Sequence, residues 1–353
     1  MDKNGKITII DVARKAGVSK GTVDRVVHNR GEVSKKSAEK VKKAIEELQY
    51  QPNLYASLLA SKKAHVIACL LPKSTKGEYW EKLHAGFLRG GESVASLNIQ
   101  ARVFLYDQYD PDSFQDTAAE MLASAPSGVI LPPLFKNDTL ELSDRMKELG
   151  IPYVYVDTKL EDPGYFSYFG MPMYKSGRLC AFMLTERLST EEVRDVEVVR
   201  ITRDKTRRSD PTLERRSGFT DFIDEHFPEC RIHQVFIDPN RPESIPEALD
   251  AFDAEHPGVK LVVMFNSRIH LISDWLAEHP LENRRVVGFD DLEKNLEALR
   301  AETVSVLIAE HVEEQTFQAV NLLSDYILMY KRPPVRDHYM HMDILTKYNL
   351  ENY

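Results

Sequence analysis

The stretch SKGTVDRVVHNRG, residues 19–31, holds residues that could do chemistry at close spacing. On a helical projection Lys20, Gly21 and Arg25 share one side, and Val23, Val26 and Val27 share the other. A small, cationic face suits an acidic polymer with readable edges. Arginine can grip guanine at two major-groove acceptors, so Arg25 is the first choice for specificity, with Lys20 and Gly21 beside it. Gly21 lets a backbone come close, and Asp24 is near enough to filter what Arg25 meets. The hydroxyls of Ser19 and Thr22 could hold phosphates, and His28 is counted in the same DNA-facing set. A second set is scattered along the chain. Asp157, Asn266 and Asp290 each close an apolar run with a group that accepts hydrogen bonds. One such residue could be a helix cap; three of them converging suit a hydroxyl-rich, neutral ligand. Trp80 could stack on the apolar face of a sugar ring, or be core.

The first set needs short helices to present it. Ile9, Val12, Ala13 and Ala16 recur at helical spacing until Gly17 interrupts them. Ser19 can cap a second helix, which Asn29-Arg30-Gly31 would stop. Ser34 can cap a third, with Val41, Ala44, Ile45 and Leu48 inside and Lys35, Lys36, Lys40, Lys42 and Lys43 outside. Two helices joined by a glycine turn and supported by a third make a helix-turn-helix, whose second helix enters the major groove. Gln51-Pro52 breaks the third helix, and the eight residues that follow would make a helix too short to persist alone, or a plain linker.

The charge is divided in the same way. Residues 1–63 hold 14 Lys and Arg against 7 Asp and Glu, net +7, whereas the rest hold 32 against 48, net −16. A positive head on a negative body is the pattern of a nucleic-acid-binding module joined to a domain that does not bind nucleic acid. No apolar run is long enough to span a bilayer, and the polar start MDKNGKITII reads as no signal peptide, so a cytoplasmic protein without a membrane partner is expected. Cys69, Cys180 and Cys230 form no metal or disulfide pattern. No metal and no cofactor is expected, since no glycine-rich phosphate fingerprint follows any strand.

From His65 onward apolar strands alternate with helical stretches. The candidates HVIACLLP (65–72), ARVFLYD (101–107), GVILPPL (128–134) and IPYVYVD (151–157) form one series. YFSYFGM (165–171), VEVVRIT (196–202), IHQVFID (232–238), KLVVMFN (260–266), RRVVGFD (284–290) and TVSVLI (303–308) form another. Near-continuous apolar strands imply parallel sheets covered on both faces, hence two Rossmann-like α/β lobes. Ligands of such sheets bind beyond the carboxyl ends of the strands, where Asp157, Asn266 and Asp290 stand.

ITIIDVARKAGVSKGTVDRVVHNRGEVS, with AIEELQYQPNLYASLLASKK after it, resembles the DNA-binding head and hinge of LacI-type (lactose-repressor family) transcriptional regulators over residues 7–63. The body resembles the two-lobed periplasmic sugar-binding-protein fold through which that family senses effectors. The resemblance implies three domains: a helix-turn-helix head (1–50), a hinge helix or linker (51–63) and an effector domain (64–353). Lobe 1 is about 64–165 plus 309–337, and lobe 2 about 166–308 plus 338–353. It also implies that Asn53 to Ala60 folds into a hinge helix on DNA, with Leu59 wedged into the minor groove and Ala56 packed nearby, a known device for kinking DNA. By the same resemblance Tyr79 and Trp80 lie at an aromatic ligand wall, Asp157 at the first carboxylate position, and Arg215 three residues before a Gly-aromatic pair. Asn266 and Asp290 match ligand contacts.

Glu310 stands where a glutamine is usual and Thr316 where a glycine is expected. Met171 and Met173 occupy a turn that is commonly polar. With the added charge at Glu310, the effector could be a cationic, amino or otherwise modified sugar, or the pocket could have lost sugar binding.

The function implied is an effector-gated, DNA-binding regulator, most simply a repressor. A homodimer would read palindromic double-stranded operator DNA, and a small carbohydrate would set its occupancy. The alternatives are a sugar-acting enzyme using Asp157, Asp290 and Glu310, which would need paired carboxylates about a glycosidic bond, a transport binding protein, and a DNA-binding protein with no ligand. Two lesser motifs are set aside. His338 and His341 in HYMHMDIL would point to opposite faces of one strand, and the basic run Arg203–Arg208 reads as a solvated loop or a contact for an anionic ligand group.

Overall fold

The computed structural model describes residues 7–27, 33–50, 64–201 and 212–353. Its N-terminal unit is three helices, α1 (Ile9–Ala16), α2 (Lys20–Val27) and α3 (Lys35–Leu48). Thr8 opens α1 with a reciprocal cap. Its hydroxyl accepts from the Asp11 N–H at 3.4 Å, and its own N–H donates to the Asp11 carboxylate at 3.0 Å. Gly17 closes α1 in the left-handed region at φ +65°, where it can turn the chain toward α2 without a β-carbon penalty. Ser19 and Ser34 accept N–H bonds from Thr22 and Ser37 at the starts of α2 and α3. Val12, Val23 and Val41 meet in a fully buried core, and Lys15 pairs with Glu47 at 3.0 Å to tie α1 to α3. The expected Asn29-Arg30-Gly31 turn, the tether 51–63 and the run Arg203–Arg208 lie outside the described residues.

The body is two six-stranded sheets. The first contains β1 (His65–Pro72), β2 (Ile99–Tyr106), β3 (Gly128–Leu131), β4 (Tyr153–Asp157), β5 (Ser167–Gly170) and β11 (Asp337–Tyr339), all parallel, in the order β11-β5-β4-β3-β1-β2. The second contains β6 (Asp195–Ile201), β7 (Arg231–Ile237), β8 (Leu261–Met264), β9 (Arg285–Phe289), β10 (Val306–Glu310) and β12 (Met342–Leu345), in the order β12-β10-β9-β8-β6-β7. Only β12 runs antiparallel to its neighbour. Helices α4 (Tyr79–Val94), α5 (Pro111–Ala123), α6 (Lys136–Glu148) and α12 (Val312–Met329) flank the first sheet. The helices α7 (Met173–Thr185), α8 (Leu213–His226), α9 (Ile245–Glu255), α10 (Ser273–Glu278) and α11 (Glu293–Arg300) belong to the second. Each sheet is covered on both faces by a separate apolar core, as near-continuous apolar strands require.

Two strand assignments differ from the sequence reading. YFSYFGM, which by sequence heads the second series, forms β5, and β5 pairs with β4 from Val154↔Ser167 to Asp157↔Gly170 and so belongs to the first lobe. Continuous apolarity marks a strand as buried and does not say which sheet buries it. HYMHMDIL was read as one alternating strand and is two, split between the sheets. His338 lies on β11 with its ring stacked on Phe169 at 4.5 Å, and His341 is exposed in the link to β12. The lobe boundaries therefore move from 165/166 to the Gly170–Met173 link, from 308/309 to the Glu310–Val312 link and from 337/338 to the link after Tyr339. The chain crosses between lobes at those three links.

Glycines let the flanking helices close up. A β-carbon on Gly86 of α4 would lie 1.9 Å from the Glu313 carbonyl oxygen of α12, and one on Gly177 of α7 would lie 1.7 Å from that of Arg215 on α8. No helix among the described residues is long and apolar enough to cross a membrane.

Candidate functional site

The DNA-facing set lies on α2 and its cap. Ser19, Lys20, Gly21 and Arg25 are exposed and Thr22 is half-buried, while Val23 turns into the core. The Ser19 hydroxyl accepts the Thr22 N–H at 3.1 Å and meets the Thr22 hydroxyl at 2.9 Å, so both oxygens sit at the positive N-terminus of α2. A β-carbon on Gly21 would meet nothing nearer than Ser19 Oγ at 3.8 Å. Packing among the described residues therefore does not require glycine there. His28, Asn53, Ala56 and Leu59 lie outside the described residues.

The second set converges. Tyr79, Trp80, Asp157, Arg215, Asn266, Asp290 and Glu310 all line one cavity of about 710 Å³ between the lobes. Asp157 ends β4 and Asp290 follows β9, and both take left-handed backbone, φ +67° and +68°, which aspartate tolerates better than most side chains. Each is turned out of its strand at the carboxyl edge of its sheet, which is where the topology puts a ligand. Gly170 secures this at the first lobe, since a β-carbon there would lie 2.6 Å from the Asp157 carbonyl oxygen.

Tyr79, at the start of α4, donates its hydroxyl to Asp157 Oδ1 at 2.6 Å, with Glu310 Oε1 at 3.3 Å from the same oxygen. The buried Gln315 side chain accepts the Asp157 N–H at 2.8 Å and donates to Glu310 Oε2 at 3.4 Å. The phenol thus links the carboxylates of the two lobes, and the carboxamide links the Asp157 backbone to the Glu310 carboxylate. Burial, and then the neighbouring carboxylates, hold the Tyr79 hydroxyl well above the usual phenol range, so it stays a donor. Trp80 stands edge-on to Tyr79 with ring centres 5.1 Å apart and donates its indole N–H to Gln108 at 3.3 Å.

Arg215 enters from the first turn of α8 and is 4% exposed. It donates to Ser176 Oγ at 3.0 Å and to the Phe265 carbonyl at 2.5 Å, lies 3.9 Å over the Phe289 ring, and is 3.9 Å from Glu310. Met171 and Met173 surround it with sulfurs 3.5 and 3.3 Å from its guanidinium, which accounts for apolar residues in that turn. Thr316 donates to the Leu83 carbonyl at 2.7 Å, joining α12 to α4.

Asp290 is 3% and Glu310 2% exposed, and the Asp290 Oδ1 has no hydrogen-bond partner among the described residues. Burial raises the Asp290 carboxyl to about 7, opposed by Arg215 and supported by Asp291 and Asp157. Burial and then Asp290 push Glu310 up as well. Asn266 caps its own turn, accepting the Arg268 N–H at 3.0 Å, so it plays the local role its type allowed while also lining the cavity.

The chain matches the model of the lacI family of bacterial regulatory proteins over residues 8–53 and that of the periplasmic binding protein domain over residues 67–330. It is 42% identical over 95 residues to the HTH-type transcriptional regulator MalR of Streptococcus pneumoniae, a match that covers 27% of this chain and 29% of that regulator's length. A Bacteroides fragilis structure assigned to the LacI transcriptional regulators shares 32% identity with a TM-score of 0.76, over 82% of this chain and all of that one. The chain belongs to the lacI family. GanP, a glucose-galactose binding protein from Geobacillus stearothermophilus, shares the body's fold with a TM-score of 0.70 at 16% identity, covering 82% of this chain and 99% of its own.

Membership in a family of regulators removes the sugar-acting enzyme and the transport binding protein as readings. Relative to this lacI-family pattern, sequence reasoning missed three supports of the cleft. Asn295, fully buried on α11, donates to the carbonyls of Ser267, Phe289 and Asp290 and accepts from His270, so it fixes the loops carrying both Asn266 and Asp290. A polar residue on the inner side of an amphipathic helix is the signal it left. Gln108 lines the cavity just past the end of β2, where the strand-end rule applied to every strand would have found it. Lys82 reaches across the lobes to Asp291 at 2.7 Å, a contact no spacing announces.

Proposed function

We propose that this chain is an effector-gated regulator of transcription that acts as a homodimer on palindromic operator DNA, most simply as a repressor. The carrying observation is that one chain holds both an exposed, basic second helix of a helix-turn-helix and a cavity between two lobes lined by Asp157, Asn266, Asp290 and Glu310. Lys20, Gly21 and Arg25 meet base edges, Ser19 and Thr22 meet phosphates, and the lysines of α3 add attraction that is independent of sequence. Asn53, Ala56 and Leu59 belong to a tether that orders on DNA, as the family resemblance implies.

The cleft takes a small carbohydrate-like molecule. Carboxylates and carboxamides on its walls accept from hydroxyls, and Trp80 offers an aromatic surface; GanP, which binds glucose or galactose by its name, supports this at the level of fold only. A ligand that contacts Asp157 on one lobe and Asp290 on the other binds closed lobes better than open ones, and only that difference in affinity can be passed to the heads.

Fluorescence anisotropy of the full chain with a pool of palindromic duplexes at low ionic strength, with and without a carbohydrate panel, tests this reading. Sequence-dependent binding that one carbohydrate shifts is expected. Indifference to duplex DNA under every condition overturns it.

A further inference from the structure

We propose that His270 is a contact for the effector, an imidazole whose proton is fixed on Nδ1 so that Nε2 accepts a hydrogen bond from one hydroxyl of the ligand. The inference rests on the reading of the cleft as the effector site. It adds to that site a residue that selects by donor and acceptor rather than by charge.

His270 lines the cavity from the short 3-10 helix Ile269–Ile272, just after the loop that carries Asn266. Its Nδ1 lies 2.7 Å from the side-chain oxygen of Asn295. The rest of the Asn295 amide decides which of the two atoms holds the proton. Its Nδ2 meets the carbonyl oxygens of Ser267, Phe289 and Asp290 at 2.9, 3.0 and 3.0 Å. Carbonyls only accept, so that end of the amide is the NH2 group and the other end is the oxygen. An amide oxygen also only accepts, so the proton between it and His270 sits on Nδ1, and the neutral ring keeps its lone pair on Nε2. Burial is the largest influence on the ring and lowers its pKa from the usual histidine value. Lys294 and Arg268 act in the same sense, against Asn295 and Glu297, so the ring is neutral at neutral pH.

The same contact orients the ring. Asn295 is fully buried, whereas His270 is half-buried on the cavity wall, so Nδ1 is turned inward and Nε2 is the nitrogen on the edge away from Asn295. Asn295 does not need the imidazole for its own sake, because its oxygen already accepts the His270 main-chain N–H at 3.2 Å. One buried amide therefore holds three residues of the wall, Ser267, His270 and Asp290, and fixes the Nε2 acceptor relative to the Asp290 main chain. A carboxylate such as Asp290 attracts a hydroxyl or a cation alike. An imidazole locked as an acceptor asks for a donor at one place, and a ligand without that hydroxyl leaves the nitrogen unpaired.

Two measurements on the full chain test the inference. In ligand-free protein with isotopically labelled histidine, long-range proton–nitrogen correlation spectra at neutral pH read the tautomer directly, and His270→Gln identifies the His270 signals by removing them. A protonated Nδ1 beside a bare Nε2 is expected. A proton on Nε2, in the other tautomer or in the imidazolium, overturns the inference whatever the ligand. The second measurement is isothermal titration with D-glucose, D-galactose, D-mannose and D-ribose, each against its monodeoxy analogues. For a sugar that binds, loss of one particular hydroxyl should weaken binding to the parent chain at least about tenfold. In His270→Leu that gap should shrink below about twofold, and His270→Gln, whose side-chain oxygen can stand in for Nε2, should restore part of it. Thermal melts confirm that both variants are folded. A gap that survives intact in folded His270→Leu overturns the role of His270 while leaving the cleft as effector site. Absence of binding by every sugar of the panel overturns both.

Discussion

In the head, the side chains assigned to DNA stand at the surface, and the core beneath them is built from other residues: Val12, Val23 and Val41 carry the packing while Lys20, Gly21 and Arg25 face outward. In the cleft the two duties fall on the same side chains. Arg215, Asp290 and Glu310 are 4, 3 and 2% exposed, line the cavity, and make or lack contacts that the fold itself depends on. A head of this kind can change what it reads at little cost in stability. A cleft of this kind cannot, because each ionisable group in it was moved out of water before any ligand arrived.

The largest effect should come from breaking the packing that supports the cleft without touching its walls. Gly177→Ala puts a carbon 1.7 Å from the Arg215 carbonyl oxygen and 2.8 Å from the Phe219 nitrogen, so α7 and α8 must separate. Backbone cannot yield as a side-chain tip can, and we expect a loss of about 4–5 kcal/mol in urea denaturation of the body, in the range reserved for gross packing faults. A loss below about 1 kcal/mol would mean that the α7–α8 contact does not fix Arg215.

A smaller change tests whether the cleft gives up stability for function. Burial raises the Asp290 carboxyl to about 7, with Asp291 and Asp157 adding to the rise and Arg215 and Lys82 opposing it. An unfolded aspartate loses its proton near 4. The folded chain therefore suffers no penalty from Asp290 below about pH 4 and loses stability as pH rises through about 7. Asp290→Asn should remove that part of the pH dependence, leaving the ligand-free variant of order 3 kcal/mol more stable than the parent at pH 8 and unresponsive to effector. Thermal melts from pH 5 to pH 8 would show it. Some slope should survive, since Glu310 and the buried Glu197, raised to about 7, titrate in the same sense. A variant that melts as the parent does across the whole range would detach Asp290 from this account.

On the head, Arg25→Ala should lower discrimination by about 1–3 kcal/mol at one base position while the melting of the body stays put. Competition anisotropy against single-base operator variants measures it. An equal loss on specific and random duplexes would make Arg25 a phosphate contact.

The same contrast explains what the sequence disclosed. The head was legible because its signals are local: Gly17, Ser19 and Ser34 act on residues within one turn of themselves, and Thr8 acts on Asp11 just as locally. The strand-end rule reached Asp157, Asn266 and Asp290 because the carboxyl edge of a parallel sheet is defined by chain direction alone. The family resemblance supplied Arg215 and Glu310, whose surroundings come from elements far apart in the chain. What local pattern could not supply was the choice of sheet for β5, the split of HYMHMDIL at the third crossing, and the support from Asn295. Those depend on which lobe a segment meets across a hinge, and apolar periodicity is the same in either lobe.

The smallest effect sharpens the contrast most, because its two readouts move in opposite directions. Gly21 lies in the first turn of α2, where alanine would be the better helix former by about 0.5–1 kcal/mol. Nothing among the described residues prevents the exchange, since an added β-carbon would meet only Ser19 Oγ at 3.8 Å. If the glycine serves the approach of DNA, Gly21→Ala should slow amide hydrogen exchange along α2 while weakening operator affinity by a similar amount. Stability gained with affinity intact would show that the face of α2 does not come close to the duplex at this position, and Lys20 and Arg25 would then have to reach the bases from farther away.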